Sequence, residues 1–149
     1  MKRFLPLLTL LLIMPQFCAA QSVAEEEAVR RAVLDYVEGF YEGDTEKITR
    51  GVSENVTKEG FMRRETTGPY RLSPMTFEQM LSYATSVRES GRMEAEDAVK
   101  IVEVFDVADQ TASAKLTATW GQDYLLLGRM NGEWKVMQVL WQTPPPPGN

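Results

Sequence analysis

The spacing of apolar residues predicts an amphipathic helix early in the chain. Between residues 24 and 42, apolar side chains recur three and four positions apart, and charged side chains, Asp35 among them, fall largely on the other side. The apolar positions are Val29, Val33, Tyr36, Val37 and Phe40. Ser22, with a glutamate three residues later, fits a capping box at the start, and Gly43 fits the end.

Two further helices are predicted from their caps. Asp44 is placed to cap a short helix over residues 44–50. Thr76, with a glutamine three residues later, predicts a third helix that ends near Ser86. Residues 54–64 have few apolar side chains, which is typical of either a short edge strand or an extended loop.

From residue 98 onward the apolar pattern changes to the two-residue alternation of β-strands. Four strands are predicted over residues 98–107, 112–120, 123–130 and 133–142. The turns between them are Asp109-Gln110, Gly121-Gln122 and Asn131-Gly132, and the last is the strongest hairpin signal of the three. Helices followed by an antiparallel meander predict the α+β class.

Two-residue turns would fix which strand residues share a face, because directly opposed residues point the same way. The helix-facing side of the sheet then carries a largely apolar set. Its predicted members are Ile101, Phe105, Val107, Ala112, Ala114, Leu116, Ala118, Trp120, Leu125, Leu127, Trp134, Val136 and Leu140.

Four polar residues fall on the same helix-facing side: Glu103, Asp123, Arg129 and Gln138. A polar group among apolar neighbours is costly unless it is hydrogen-bonded or hydrated, so these positions predict a cavity between the sheet and the helices. The alternative is that Glu103 and Arg129 satisfy each other, and that Asp123 lies at an exposed strand end.

The opposite side of the predicted sheet is also apolar, and it includes Thr117, Thr119 and Met130. An exposed apolar stripe of this kind usually marks an interface. We therefore expect a homodimer in which two copies pack sheet to sheet. The expected contact residues are Val102, Val104, Tyr124, Leu126, Met137, Val139 and Trp141.

The first twenty residues have the order of a secretory signal peptide. The basic start Met1-Lys2-Arg3 precedes an apolar run, and Cys18-Ala19-Ala20 supplies the small residues before a cut. The run is shorter than the roughly 20 residues that a membrane span needs, so no membrane anchor is expected. We expect cleavage after Ala20, one domain over residues 21–143, a proline-rich tail over 144–149, and a periplasmic or secreted protein.

Charge and composition exclude several function classes. Of the 16 basic residues, Lys2 and Arg3 leave with the leader, so 14 remain against 21 acidic residues and the formal charge becomes −7. This charge repels nucleic acid and anionic membranes. The chain has no histidine, and its single cysteine, Cys18, lies in the leader. Ser-His-Asp and Cys-His catalysis and imidazole-bound zinc are thereby excluded, and no metal or cofactor is expected.

Three stretches resemble the nuclear-transport-factor-2-like superfamily, also called SnoaL-like, and are most similar to its lumazine-binding family. They are AVRRAVLDYVEGFYEGDTEKI (residues 28–48), VKIVEVFDV (99–107) and DYLLLGRMNGEWKVMQVLW (123–141). The resemblance implies a cone-shaped α+β barrel, with three amino-terminal helices packed on a curved antiparallel sheet, and the family name implies a pteridine-like ligand. Active superfamily members place a tyrosine and one or two carboxylates, or a His-Asp pair, inside the cone. Here Tyr36, with Glu103 and Asp123, would supply the first kind of set.

Three functions follow as hypotheses. The leading one is a non-catalytic, exported protein that holds a small, partly aromatic molecule between the first and third helices and the sheet. Its expected ligand contacts are Tyr36, Phe40, Glu103, Trp120, Asp123 and Gln138. The second is a proton-transfer isomerase or cyclase that uses Glu103 or Asp123 as its base. The third is a structural or interaction protein that acts through the dimer face or the proline-rich tail.

Overall fold

The computed structural model describes residues 14–65 and 68–146. Its helices are α1 (Met14–Glu42), α2 (Thr45–Gly51) and α3 (Phe77–Ser90). Its strands are β1 (Val52–Met62), β2 (Arg71–Leu72), β3 (Lys100–Val107), β4 (Thr111–Ala118), β5 (Gly121–Met130) and β6 (Glu133–Gln142). The predicted leader lies mostly outside the described residues, as do residues 147–149 of the predicted tail.

Local sequence sets the ends of α2 and α3. Asp44 caps α2 by accepting hydrogen bonds from two backbone N–H groups, at 2.9 and 3.2 Å. Thr76 begins α3 through the predicted capping box. This helix runs past Ser86 to Ser90, where Gly91 takes the left-handed conformation (φ 66°) that favours glycine and ends helices.

Helix α1 has the predicted buried stripe but differs from prediction in two respects. It is continuous from Met14, so Ser22 lies within the helix and is not its cap. Asp35, predicted on the polar side, is only 2% exposed. The reason is that Arg50 of α2 folds over its carboxylate and donates two hydrogen bonds, of 2.6 and 2.8 Å.

The six strands form one sheet in the order β2-β1-β6-β5-β4-β3. Strand β1 runs parallel to β6, and the other neighbours are antiparallel. The segment predicted as an edge strand or a loop is therefore mostly strand, and it lies between β6 and the two-residue β2. The helices cover one side of this sheet, which we call the inner face, and the hydrophobic core lies between the two layers.

In the middle of the sheet, side chains point to the predicted sides even though one turn lies at a different position from the one predicted. The chain between β4 and β5 turns at Thr119-Trp120, two residues earlier than predicted. This displacement changes the register by an even number of residues, so each side chain keeps its predicted side. Buried as predicted on the inner face are Ala112, Ala114, Leu116, Ala118, Leu125, Leu127, Trp134 and Val136.

Over most of strand β3, the side chains point to the side of the sheet opposite to the one predicted. Its end pairs with β4 as predicted, but a bulge at Phe105 shifts the preceding register by one residue. A shift of one exchanges the two faces. Ile101, Glu103 and Phe105 are consequently exposed on the outer face, whereas Val102 and Val104 pack against the core.

A second bulge does the same to the end of β6. Met137 is the extra residue, and the pairing with β5 shifts beyond it. Gln138 and Leu140, predicted on the inner face, are therefore exposed on the outer face. Val139 and Trp141, predicted on the outer face, turn toward the core instead.

Candidate functional site

A chain of three polar side chains is buried between the helices and the sheet. Tyr36 of α1 donates a 2.7 Å hydrogen bond to the Asp123 carboxylate of β5, and Lys58 of β1 donates to the Tyr36 hydroxyl. Lys58 Nζ also lies 3.8 Å from Asp123 Oδ2. Tyr36 and Asp123 are fully buried, and Lys58 is 7% exposed. We call these residues the Lys58–Tyr36–Asp123 network.

Each member of the network occupies a buried position of its helix or strand. Tyr36 lies on the apolar stripe of α1 that faces the sheet. Asp123 alternates along β5 with the buried Leu125 and Leu127, so it points inward. Lys58 is likewise a buried position of β1, two residues before the buried Gly60.

Burial changes the proton affinity of two members of the network. It lowers the pKa of Lys58 from 10.5 to about 8, and the nearby Asp123 carboxylate opposes part of that decrease. Burial also raises the pKa of Tyr36 well above its ordinary value of 10.0, and the charge of Asp123 adds to the increase. At neutral pH Tyr36 therefore remains protonated and donates to Asp123.

Aromatic rings surround the Lys58 ammonium. Its Nζ lies 5.1 Å from the ring centre of Tyr36, 5.2 Å from that of Trp141 and 5.7 Å from that of Phe40. Ring faces attract a cation and partly replace the water that burial removes. A charged amine is thus tolerated in a site with apolar walls.

Trp120 completes the hydrogen bonding of Asp123. Its indole N–H donates a 2.7 Å bond to Asp123 Oδ1, so both carboxylate oxygens are occupied by protein donors. Tyr41 fixes the turn that carries Trp120, because its hydroxyl accepts a 2.8 Å bond from the Thr119 N–H. The Tyr41 and Trp120 rings also meet edge to face, with centres 5.4 Å apart.

A cavity of about 280 Å³ opens beside the network. Lys58 is the member of the network that lines it, and the Tyr36 and Asp123 side chains lie behind the wall. The apolar and aromatic part of the lining consists of Phe40, Tyr41, Met62, Met75, Tyr83, Val87, Trp120 and Trp141. Ser73, Arg92 and Glu94 contribute polar groups, and the last two are exposed to solvent. The site therefore combines aromatic walls with one buried amine.

The structure brings four of the six predicted contact residues together. Phe40 and Trp120 line the cavity, and Tyr36 and Asp123 stand directly behind it. Glu103 and Gln138 were placed wrongly, because the bulges in β3 and β6 turn them to the outer face.

The alternative pairing of the polar residues was wrong as well. Arg129 forms a 3.0 Å ion pair with Glu25 of α1, and Glu103 forms one of 3.0 Å with Lys115. Asp123 is fully buried and does not lie at an exposed strand end. Sequence reasoning missed Lys58, because a lysine in a largely polar segment looks solvated. Its inward direction depends on the parallel pairing of β1 with β6, which no local pattern indicates.

Across residues 14–65 and 68–146, no three His, Cys, Asp or Glu side chains are grouped so that they could hold a metal ion. Within the same residues, no helix has the length and apolar character of a membrane span.

The chain matches a known family over most of its length. Residues 24–142 match the family described as "Putative lumazine-binding". No curated protein matches the chain in sequence.

Solved structures share the fold at low sequence identity. An NTF2-like protein of unknown function from Shewanella baltica is 18% identical, covers 83% of this chain and 96% of its own, and superposes with a TM-score of 0.60. A second, from Silicibacter pomeroyi, is 16% identical with coverages of 85% and 98% and a TM-score of 0.62. An NTF2-like protein with a cystatin-like fold from Novosphingobium aromaticivorans is 11% identical, covers 92% of this chain and 92% of its own, and has a TM-score of 0.62. At these identities the similarity shows the fold alone.

Proposed function

We propose that this chain, which belongs to the lumazine-binding family and has the NTF2-like fold, binds one small, planar, partly aromatic molecule in the cavity beside Lys58. The observation that carries the proposal is the convergence of aromatic side chains and one buried ammonium on a cavity of about 280 Å³. Largely apolar walls with a few fixed polar groups are typical of small-molecule sites.

The polar groups support a ligand with an acceptor atom. Among the described residues, Lys58 donates one hydrogen bond, to Tyr36, and so retains two of its three N–H donors. A carbonyl oxygen on a flat ring system would accept from Lys58 while the ring lay against Trp120 and Trp141. A lumazine-type ring, which the family description names, has that shape and such oxygens.

We propose further that the protein binds without proton-transfer catalysis. Asp123 is unsuited to take a proton directly from a ligand, because it is fully buried and both of its oxygens already accept hydrogen bonds, from Tyr36 and Trp120. Glu103 is unsuited because it lies on the outer face of the sheet. The order of residues in the leader supports export to the periplasm or beyond the cell.

The outer face supports a homodimer, with different residues from those first expected. Of the predicted contacts, Tyr124 and Leu126 are exposed there, at 52% each. Val102, Val104, Val139 and Trp141 turn to the core and leave the proposed interface. Ile101, Phe105 and Leu140 take their places, each more than half exposed. Five large apolar side chains on one sheet surface support sheet-to-sheet packing of two copies.

Titration calorimetry of the mature protein with lumazine, pterin and riboflavin as probes tests the binding proposal. Tyr83→Ala removes a ring of the cavity lining, and Tyr124→Ala removes a ring from the outer face; the two side chains are equally accessible, at 49% and 52%. We expect Tyr83→Ala to weaken binding about tenfold and Tyr124→Ala to leave it unchanged, because an aromatic contact contributes about 1 kcal/mol or more. Equal loss in both variants, or no binding of any probe, would contradict the proposal.

A further inference from the structure

We infer that Lys58 is a reactive amine that condenses with an aldehyde or ketone group of a cavity ligand to form an imine. The inference rests on the proposed function, since the carbonyl compound must enter the same cavity. It assigns a covalent ligand site to a residue for which the binding proposal needs only a hydrogen bond.

Lys58 differs from the other lysines that the structure describes. Lys47, Lys100 and Lys115 have side chains 22–31% exposed and form ion pairs with the carboxylates of Glu38, Glu42 or Glu103, at 2.8 to 3.5 Å. Lys135 donates to backbone carbonyls at the surface. The Lys58 side chain is 6% exposed, and its Nζ lies among rings in the cavity wall. It is the described lysine placed to meet an enclosed ligand.

The network also supplies a route for the proton that the ammonium must lose. Lys58 donates to the Tyr36 hydroxyl, which donates in turn to Asp123 Oδ2. A proton passed from Lys58 to Tyr36, while Tyr36 passes its own to Asp123, leaves a neutral amine and a neutral carboxylic acid. The neutral amine then has a lone pair available for a carbonyl carbon in the cavity.

The condensation balances without any further reactant. The Lys58 nitrogen adds to the carbonyl carbon, and a proton moves from nitrogen to oxygen to give a carbinolamine. The Asp123 proton returns through Tyr36 to the carbinolamine hydroxyl, the C–O bond breaks, and one water leaves. The protonated imine carries the positive charge that the ammonium carried, beside the same rings and the same carboxylate. No atom is oxidised or reduced.

The proton affinity of the amine agrees with this chemistry. With its pKa lowered to about 8, roughly a tenth of Lys58 is unprotonated at pH 7. An exposed lysine near the ordinary value of 10.5 is unprotonated there in well under a thousandth of molecules. A desolvated lysine in an apolar pocket is a recognised form of activated nucleophile.

The test is reductive trapping on the mature, full domain. The protein is incubated with 2-naphthaldehyde, a flat aromatic aldehyde, and reduced with sodium cyanoborohydride, and peptides are mapped by mass spectrometry. We expect label at Lys58 about tenfold or more faster than at Lys115. Lys58→Arg should abolish the fast phase, and the matched surface variant Lys115→Arg should retain it. Should Lys58→Arg fail to fold, the peptide map of the unaltered protein still decides, and label spread evenly over the surface lysines overturns the inference.

The alcohol 2-naphthalenemethanol separates this inference from the binding proposal, because it has the same ring but no carbonyl. If the alcohol binds and Lys58 is not labelled by the aldehyde, the cavity holds ligands but the inference fails. If the alcohol competes with labelling of Lys58, both proposals are supported. If neither compound binds and Lys58 stays unlabelled, both fail. Tyr36→Phe should slow the labelling of Lys58, as expected for a residue that relays the proton.

Discussion

The hydroxyl of Tyr36 and the carboxylate of Asp123 lie 2.7 Å apart, although the two residues are 87 positions apart in the chain. Both are fully buried, and Lys58 donates to the same hydroxyl from a third element. One phenol therefore connects α1 with strands β1 and β5. Because each partner would otherwise be an unsatisfied polar group in the core, this connection should contribute to stability as well as to the site.

Removing the phenol oxygen should destabilise the fold. Tyr36→Phe keeps the ring but removes one hydrogen-bond donor to Asp123 and the hydrogen-bond acceptor of Lys58. Both side chains are buried. We expect the free energy of unfolding to fall by about 1–3 kcal/mol, measured by urea denaturation. Tyr124→Phe, which removes an exposed hydroxyl from the outer face, should change it by less than about 0.5 kcal/mol. Equal effects of the two changes would contradict the role given to Tyr36.

Stability should rise with pH above 8 because of Lys58. The pKa of its side chain is about 8 in the folded protein and close to 10.5 in the unfolded chain. Below pH 8 both states carry the proton, and the folded state bears the cost of a buried charge. Between 8 and 10.5 the folded state has lost a proton that the unfolded chain still holds. The unfolded state then binds more protons, so stability increases with pH.

Urea denaturation at about pH 8 and about pH 9.5 measures this increase. We expect a gain of about 1–2 kcal/mol that is missing in Lys58→Met. Tyr36 does not interfere in this window. Its raised pKa lowers stability mainly above about pH 10, where tyrosine in the unfolded chain is more than half ionised, and contributes little at pH 9.5. A stability that is flat or falling between the two pH values, with the same slope in Lys58→Met, would rule out the pKa decrease.

Glu103 should be irrelevant to ligand binding. Its side chain is on the outer face, where it forms a half-exposed ion pair with Lys115. Glu103→Gln should leave the affinity for any cavity probe unchanged and should reduce stability by less than about 1 kcal/mol. Calorimetric titration of this variant beside Tyr83→Ala is the measurement. Loss of binding in Glu103→Gln would indicate that Glu103 lines the cavity after all, and would contradict the register of β3.

Features set by neighbouring residues could be predicted from the sequence. The caps at Asp44 and Thr76 depend on side chains reaching backbone groups two or three residues away, and both form. The predicted inward direction of Asp123 was also confirmed, because the turn before β5 lies two residues from its predicted place and an even displacement keeps each side chain on its predicted side. The α+β class and the family resemblance were likewise confirmed, since both rest on the order of helices and strands.

Features set by a single extra residue or by distant pairing could not be predicted. The bulges at Phe105 and Met137 have no distinctive sequence, yet each exchanges the faces of the rest of its strand. Glu103 and Gln138 were assigned to the cavity for that reason. Lys58 was missed because β1 pairs in parallel with β6, the strand farthest from it in sequence.

Gly60 should be required for the Trp141 indole to occupy its position in the cavity wall. A Cβ added at Gly60 would collide with the Cδ1, Nε1 and Cε2 atoms of the Trp141 indole. Gly60→Ala should lower stability by about 1–3 kcal/mol and alter the near-ultraviolet circular dichroism of the tryptophans. Gly68→Ala is the matched control, because a Cβ there approaches other atoms no closer than 3.5 Å. Unchanged spectra in Gly60→Ala would show that Trp141 has room to move.

Charge placed on the outer face should keep the protein monomeric. Leu126 is 52% exposed near the middle of the apolar outer face, and Tyr124 lies two residues before it on the same side of β5. In a sheet-to-sheet dimer related by a two-fold axis, one substitution places a charge in the interface twice. We expect sedimentation velocity to give a dimer for the unaltered protein and a monomer for Leu126→Glu, with the same helix content by circular dichroism.

Leu72→Glu is the control, because Leu72 is 59% exposed on the short strand β2 at the sheet edge. Its dimer should persist, since a single edge charge lies away from the central apolar residues. A monomer in every sample would contradict the proposal that the outer face is an interface between two copies. Its five apolar side chains would then be available to a different partner.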